Sequence, residues 1–179
     1  MTKIEMFIRE LIKAARSNDT PVKTLFELAK SEIGRVREAV AENPNAPIEA
    51  LNKLSEDEEE FVRSNVAGNP NTPINVVIKL SKDEYFYTRL VVAKNPNTPA
   101  DILAKLSEDE AWLIRQAVAA NLNTPAYVLI KLSEDKEELV RSNVAGNPNT
   151  PIDVLSKLSE DKKIDISITA KVELKKRRK

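Results

Sequence analysis

Asn147-Pro148-Asn149-Thr150-Pro151 is one copy of a loop that returns along the chain at a fixed interval. It recurs as Asn43-Pro44-Asn45-Ala46-Pro47, Asn69-Pro70-Asn71-Thr72-Pro73, Asn95-Pro96-Asn97-Thr98-Pro99 and Asn121-Leu122-Asn123-Thr124-Pro125. Pro21, Pro47, Pro73, Pro99, Pro125 and Pro151 are each 26 residues apart, and all ten prolines of the chain fall on this period. A fixed period between about 20 and 50 residues defines a stacked repeat array. The chain therefore reads as an all-α, right-handed solenoid of about six 26-residue, two-helix repeats starting at residues 21, 47, 73, 99, 125 and 151.

The loop separates two helices of different character. The first is expected to open at Thr72-Pro73, Thr98-Pro99 or Thr150-Pro151, with threonine as N-cap and proline at the first helical position. Apolar residues then follow at helical spacing, as in Ile48, Leu51 and Leu54 or Ile74, Val77 and Leu80. About eight residues is too short a helix to persist without neighbours. The second helix is expected to begin near Asp57, Asp83, Asp109 or Asp135, with capping boxes from Asp57 to Glu60 and Asp135 to Glu138. Its buried pairs are Val36/Val40, Val62/Val66, Ile114/Val118 and Val140/Val144, and Thr88/Val92 departs from the pattern. The Asn-Pro step ends it, because a residue before proline is pushed out of the α region.

The pattern Val-Arg-x-x-Val-Ala-x-Asn-Pro-Asn-Thr-Pro-x-x-x-Leu-x-x-Leu, fullest from Val140-Arg141 to Leu158, resembles the leucine-rich repeat variant family over about residues 21–161. That resemblance implies an all-helical, curved, two-layer array without the strands of ordinary leucine-rich repeats, used for protein or nucleic-acid contact. One type of member carries a cysteine-built iron–sulfur module. This chain has no cysteine, so that feature does not carry over.

The two ends differ from the repeat. Residues 1–20 read as an N-terminal capping helix, with Ile4, Phe7, Ile8, Leu11, Ile12 and Ala15 on one stripe. Residues 162–179 read as a C-terminal cap and basic tail. There Ile164, Ile166, Ile168, Ala170, Val172 and Leu174 alternate with polar residues, which is the period of a strand. The repeat template asks for a helix over the same stretch. The alternation is given slightly more weight, and a β-strand at 164–174 would pair with another element or another copy of the chain. Residues 171–179 hold six basic groups and one acid, leaving −5 on the rest of a chain whose 28 basic and 28 acidic residues cancel.

Function is read by exclusion and then by surface. With no cysteine and no histidine, the usual thiolate and imidazole chemistry is missing, and no phosphate-binding glycine loop is present. The expected protein is non-enzymatic, without cofactor or metal, without a membrane span, and cytoplasmic. Placing the second helix at 100° per residue points Phe86, Leu90 and Trp112 to solvent, flanked by Tyr85, where other repeats carry polar residues. Exposed aromatic residues ringed by charge are typical of protein interfaces. The leading expectation is thus a protein-binding scaffold using Tyr85, Phe86, Leu90 and Trp112. The alternative is a nucleic-acid-binding solenoid. It would use the series Arg37, Arg63, Arg89, Arg115 and Arg141 together with Lys175, Lys176, Arg177, Arg178 and Lys179.

Overall fold

The computed structural model describes residues 2–177. Helix α1 spans Lys3–Arg16 and six helix pairs follow. These are α2 (Val22–Leu28) with α3 (Gly34–Glu42), α4 (Ile48–Leu54) with α5 (Glu60–Gly68), and α6 (Ile74–Leu80) with α7 (Phe86–Lys94). Then come α8 (Ala100–Leu106) with α9 (Trp112–Ala120), α10 (Ala126–Leu132) with α11 (Glu138–Gly146), and α12 (Ile152–Leu158) with α13 (Ile164–Arg177). The chain divides into two compact units, Met1–Val92 and Ala93–Lys179. Each is a segment of all-α, right-handed solenoid built from two-helix repeats.

The core is the expected set of valines and leucines, displaced slightly on the first helices. Leu51, Leu54, Leu103, Leu106, Leu129 and Leu155 are buried, opposite Val36, Val40, Val62, Val66, Ile114 and Val118. Ile48, Ile74 and Ile152 are exposed, and Ala50, Val76 and Val154 are buried in their stead. The buried set 50, 51 and 54 follows the i, i+1, i+4 geometry of a helix face, which the simple three-residue spacing misses. Each fully buried leucine contributes roughly 1.5–3 kcal/mol, so a seven-residue helix that could not persist alone is held by its neighbours.

The caps also differ from expectation. The prolines, not the threonines, occupy the N-cap positions, with extended backbone at Pro47, Pro73, Pro99, Pro125 and Pro151. Threonine instead closes the preceding helix. Thr72, Thr124 and Thr150 donate their hydroxyls to the carbonyls of Val66, Val118 and Val144 at 2.5, 2.6 and 2.6 Å. Those carbonyls lie in the last turn of the helix, where intrahelical partners run out. The second helices start at Glu60 and Glu138, three residues beyond Asp57 and Asp135. Asp57 and Asp135 form turns instead, accepting from the Glu59 and Glu137 amides at 3.0 and 2.9 Å.

The expected strand at 164–174 is a helix, and among the described residues there is no β-strand. The alternation is compatible with this because apolar residues two apart also form two stripes four apart. Ile166 and Ala170 are buried with Ser167 against α11 and α12, while Ile164, Ile168 and Val172 face outward. Pairing with another copy through a strand edge therefore has no basis at this segment. At the other end, α1 packs on α3 and buries Ala15, but Ile4 and Phe7 stay exposed. No helix among the described residues is long and apolar enough to cross a membrane.

Gly146 ends α11 at negative φ, and a Cβ built there meets nothing within 4 Å. The same place in α9 is Ala120. Gly146→Ala is expected to raise stability by about 0.5–1 kcal/mol, read as a higher urea midpoint with unchanged slope, because the unfolded chain loses freedom that the helix does not use.

Candidate protein-interaction surface

Two side-chain ladders tie successive repeats together and fix what remains at the surface. Asn69 donates its amide to the carbonyls of Ala41 (2.7 Å) and Asn43 (2.8 Å), and its oxygen accepts from the Asn71 amide at 2.9 Å. Asn43 and Asn147 make the same three contacts, Asn43 with the end of α1 and its following loop. Arg37, Arg63, Arg115 and Arg141 each grip the aspartate of the next loop with two nitrogens: Asp57, Asp83, Asp135 and Asp161 in turn. The third nitrogen donates to two carbonyls of the arginine's own loop, as Arg63 does to Asp57 and Glu58 at 2.9 and 3.2 Å. Arg89 makes those loop contacts too, to Asp83 and Glu84 at 2.8 and 3.2 Å. Burial pushes the Asp57, Asp83 and Asp135 carboxyls up, and the facing guanidinium with a backbone amide more than offsets it, so all three rest below the ordinary aspartate value.

These contacts occupy four of the five series arginines that the nucleic-acid alternative would use. The side chains of Arg37, Arg63, Arg115 and Arg141 are 10–17% exposed and fully engaged, so a phosphate would have to displace a bidentate carboxylate. Within the described part of the tail, Arg177 is held by the preceding repeat. The 26-residue period would put the next ladder asparagine at 173, which is Glu173. Arg177 takes its place, donating to the Asn147 carbonyl at 3.1 Å and to the Thr150 carbonyl. Lys176 pairs with Glu173 at 2.5 Å, and Lys175 is exposed. Arg178 and Lys179 lie outside the described residues.

Each second helix inside a unit is enclosed on several sides. Helix α3 packs on α1, α2, α4 and α5, and α11 packs on α9, α10, α12 and α13. Only a narrow strip stays open, one residue beyond the expected one. In the first unit it carries Arg35, Phe61 and Tyr87, and in the second Leu113 and Leu139. Leu90, expected on the surface, is 6% exposed. Its counterpart Ser64 is buried too, sharing a hydrogen bond of 2.9 Å with Thr88. That bond explains the polar Thr88 at a core position: its hydroxyl is satisfied by the neighbouring repeat, so α7 need not rotate.

Four rings gather on this strip in the first unit. Tyr85, half-buried, is the hub, with its ring 6.0 Å from Phe61, 5.9 Å from Phe86 and 6.2 Å from Tyr87. Phe86 and Tyr87 are 6.5 Å apart in edge geometry. Phe61, Phe86 and Tyr87 are 53%, 42% and 42% exposed. The Asp83 turn aims the hub, since its carboxylate accepts from the Tyr85 amide at 2.9 Å. Tyr85 and Phe86 were legible as surface candidates in the sequence. Phe61 and Tyr87 were missed, although they sit 26 residues apart and share that period with Leu113 and Leu139. Trp112 belongs to the second unit, half-buried at the start of α9 beside the exposed Leu113. No cluster of three or more metal-ligating side chains occurs among the described residues.

Comparison with known proteins finds other helical-repeat folds. Residues 34–59, one 26-residue repeat, match the family described as Leucine rich repeat variant. A solved structure titled "A leucine-rich repeat variant with a novel repetitive protein structural motif" is 21% identical, covering 86% of this chain and 72% of that one, with a TM-score of 0.42. The designed armadillo repeat protein YIII(Dq)4CqI is 16% identical, covering 93% of this chain and 98% of that one, with a TM-score of 0.51. No curated protein matches the sequence. The chain is an all-helical repeat protein, and one of its repeats matches the leucine-rich-repeat-variant pattern.

Proposed function

We propose that this chain is a non-enzymatic scaffold that binds a segment of another protein along the second helices of its first unit. The four-ring cluster of Phe61, Tyr85, Phe86 and Tyr87 on the first unit is the anchor, and Trp112 on the second unit is a separate candidate contact. One observation carries the reading: three large apolar rings stand open to solvent around a fourth. Leaving that much aromatic surface wet forgoes burial energy, and such residues are favoured where a partner later covers them. The reading keeps residues 21–161 as the repeat array, with residues 1–20 and 162–179 as its caps.

The test is capture from nuclease-treated native extract with wild-type bait, a Phe61→Ser/Tyr87→Ser bait and a Trp112→Ala bait, all three with unchanged helical circular dichroism. A stoichiometric protein retained by wild type and reduced at least tenfold by the ring variant is the expected result. A partner indifferent to both variants places binding elsewhere and refutes the anchor.

A further inference from the structure

We propose that the cleft between α1 and α3 receives acidic side chains of the same bound segment, so the ligand class is an acidic stretch next to an apolar anchor. This rests on the scaffold reading above. The cleft has a volume of about 680 Å³ and is lined by Arg9, Lys13, Arg16 and Arg35 over Ile8 and Ile12, with Glu5 also in its wall. Glu5 is already committed to the α1 cap, where it accepts from the Thr2 amide at 2.7 Å. Arg16 is paired with Glu42 at 3.1 Å. Arg9, Lys13 and Arg35 make no ion pair among the described residues and are exposed.

Other exposed cations of this unit, such as Lys53 and Lys82, also make no ion pair among the described residues, but here three line one cleft. Arg37, Arg63 and Lys79 of the same unit all have carboxylate partners. Arg9, Lys13 and Arg16 are spaced i, i+4 and i+7 on one helix face, where like charges repel. The ring cluster stands one second helix away from the cleft. Arg35 fills on α3 the position that Phe61 fills on α5, and the two helices pack together. Adjacent packed helices are about 8–10 Å apart, which an extended chain crosses in about three residues. Carboxylates some three residues from an aromatic or aliphatic side chain would thus reach both places.

A polyanion is a poorer fit. Beyond Arg35 the strip carries rings, bordered in sequence by Glu58, Glu59, Glu60 and Glu84. The Glu58 and Glu84 side chains are 88% and 94% exposed, so a continuous phosphate backbone would meet more repulsion than a short acidic peptide confined to the cleft.

The experiment selects binders of the full-length chain from a displayed library of random twelve-residue peptides. It then measures the best peptide, and a twelve-nucleotide DNA strand, by fluorescence anisotropy. Arg9→Glu/Arg35→Glu and the milder Arg9→Gln/Arg35→Gln are compared with Phe61→Ser/Tyr87→Ser, each checked for an unchanged melting curve. Expected are peptides with clustered Asp or Glu near an apolar residue. Their affinity should drop tenfold or more with either cleft variant, drop with the ring variant, and weaken with salt. Neutral or basic peptides that need the rings but ignore Arg9 and Arg35 overturn the cleft and leave the scaffold reading standing. Peptides that need the cations and ignore the rings keep the cleft and refute the ring anchor. DNA bound as tightly as peptide and lost with Arg9→Gln/Arg35→Gln overturns the ligand class. The absence of any peptide binder overturns both readings.

Discussion

Asn69→Leu is expected to destabilise the first unit by about 2–4 kcal/mol, because each buried polar group left without its partner costs about 1–3 kcal/mol. The side chain is nearly inaccessible, and it serves two carbonyls of the preceding repeat and one amide of its own loop. Leucine matches its bulk and supplies none of the three bonds. The loss should appear as a lower urea midpoint and as faster amide exchange in α3, α5 and the loops between them, since repeats in an array are stabilised by nearest neighbours. Asn71→Ala, two residues away, removes only an exposed bond of 2.6 Å to the Pro44 carbonyl and should cost under about 1 kcal/mol. Equal effects at the two positions would mean that the buried ladder is not what couples the repeats.

Arg115→Ala should be at least as damaging, costing about 3–5 kcal/mol, because it strands the buried Asp135 carboxylate and the Asp109 and Glu110 carbonyls. The bidentate contacts measure 2.6 and 3.0 Å, with side chains 11% and 7% exposed. The double variant Arg115→Met/Asp135→Leu should be milder than either single alanine variant, since it leaves no stranded charge. The same pairs predict acid sensitivity. Asp57, Asp83, Asp135 and Asp161 are all held below the usual aspartate value in the folded chain. Their contribution is therefore full above the unfolded value of about 4 and is lost as pH falls through the folded values. Urea midpoints should be flat from these groups between about pH 5 and 8 and fall below about pH 4, less steeply in the double variant. A midpoint unchanged down to pH 2 would refute the assignment.

The aromatic surface shows where reading along a chain stops. A helical wheel treats a helix as having one buried face, and on that basis position 90 points outward. In the array a second helix has its own first helix beneath it and other second helices beside it, so Leu90 and Ser64 are buried, Ser64 against Thr88 of the next repeat. The open strip narrows and shifts by one residue, to Phe61 and Tyr87. Threonine failed as an N-cap for a related reason. Its hydroxyl had two candidate partners, a donor ahead and a carbonyl behind, and the turn at the Asn-Pro loop brings the carbonyl of the finished helix within 2.6 Å.

The sequence by itself determined the repeat, its 26-residue length, the two-helix unit and the buried valines and leucines, because stacking forces every unit to solve the same packing problem with the same residues. Tertiary structure alone decided three things. It turned the alternating residues 164–174 into a helix, because α11 and α12 offer a face that buries Ile166 and Ala170 together. It made Arg177 a substitute for the missing ladder asparagine, through a contact 30 residues away in the chain. And it gathered Phe61 with Tyr85, Phe86 and Tyr87 on one side and Arg9 with Arg35 on the other. Such neighbours are set by the stacking of one repeat on the next, a distance in space that local periodicity does not encode.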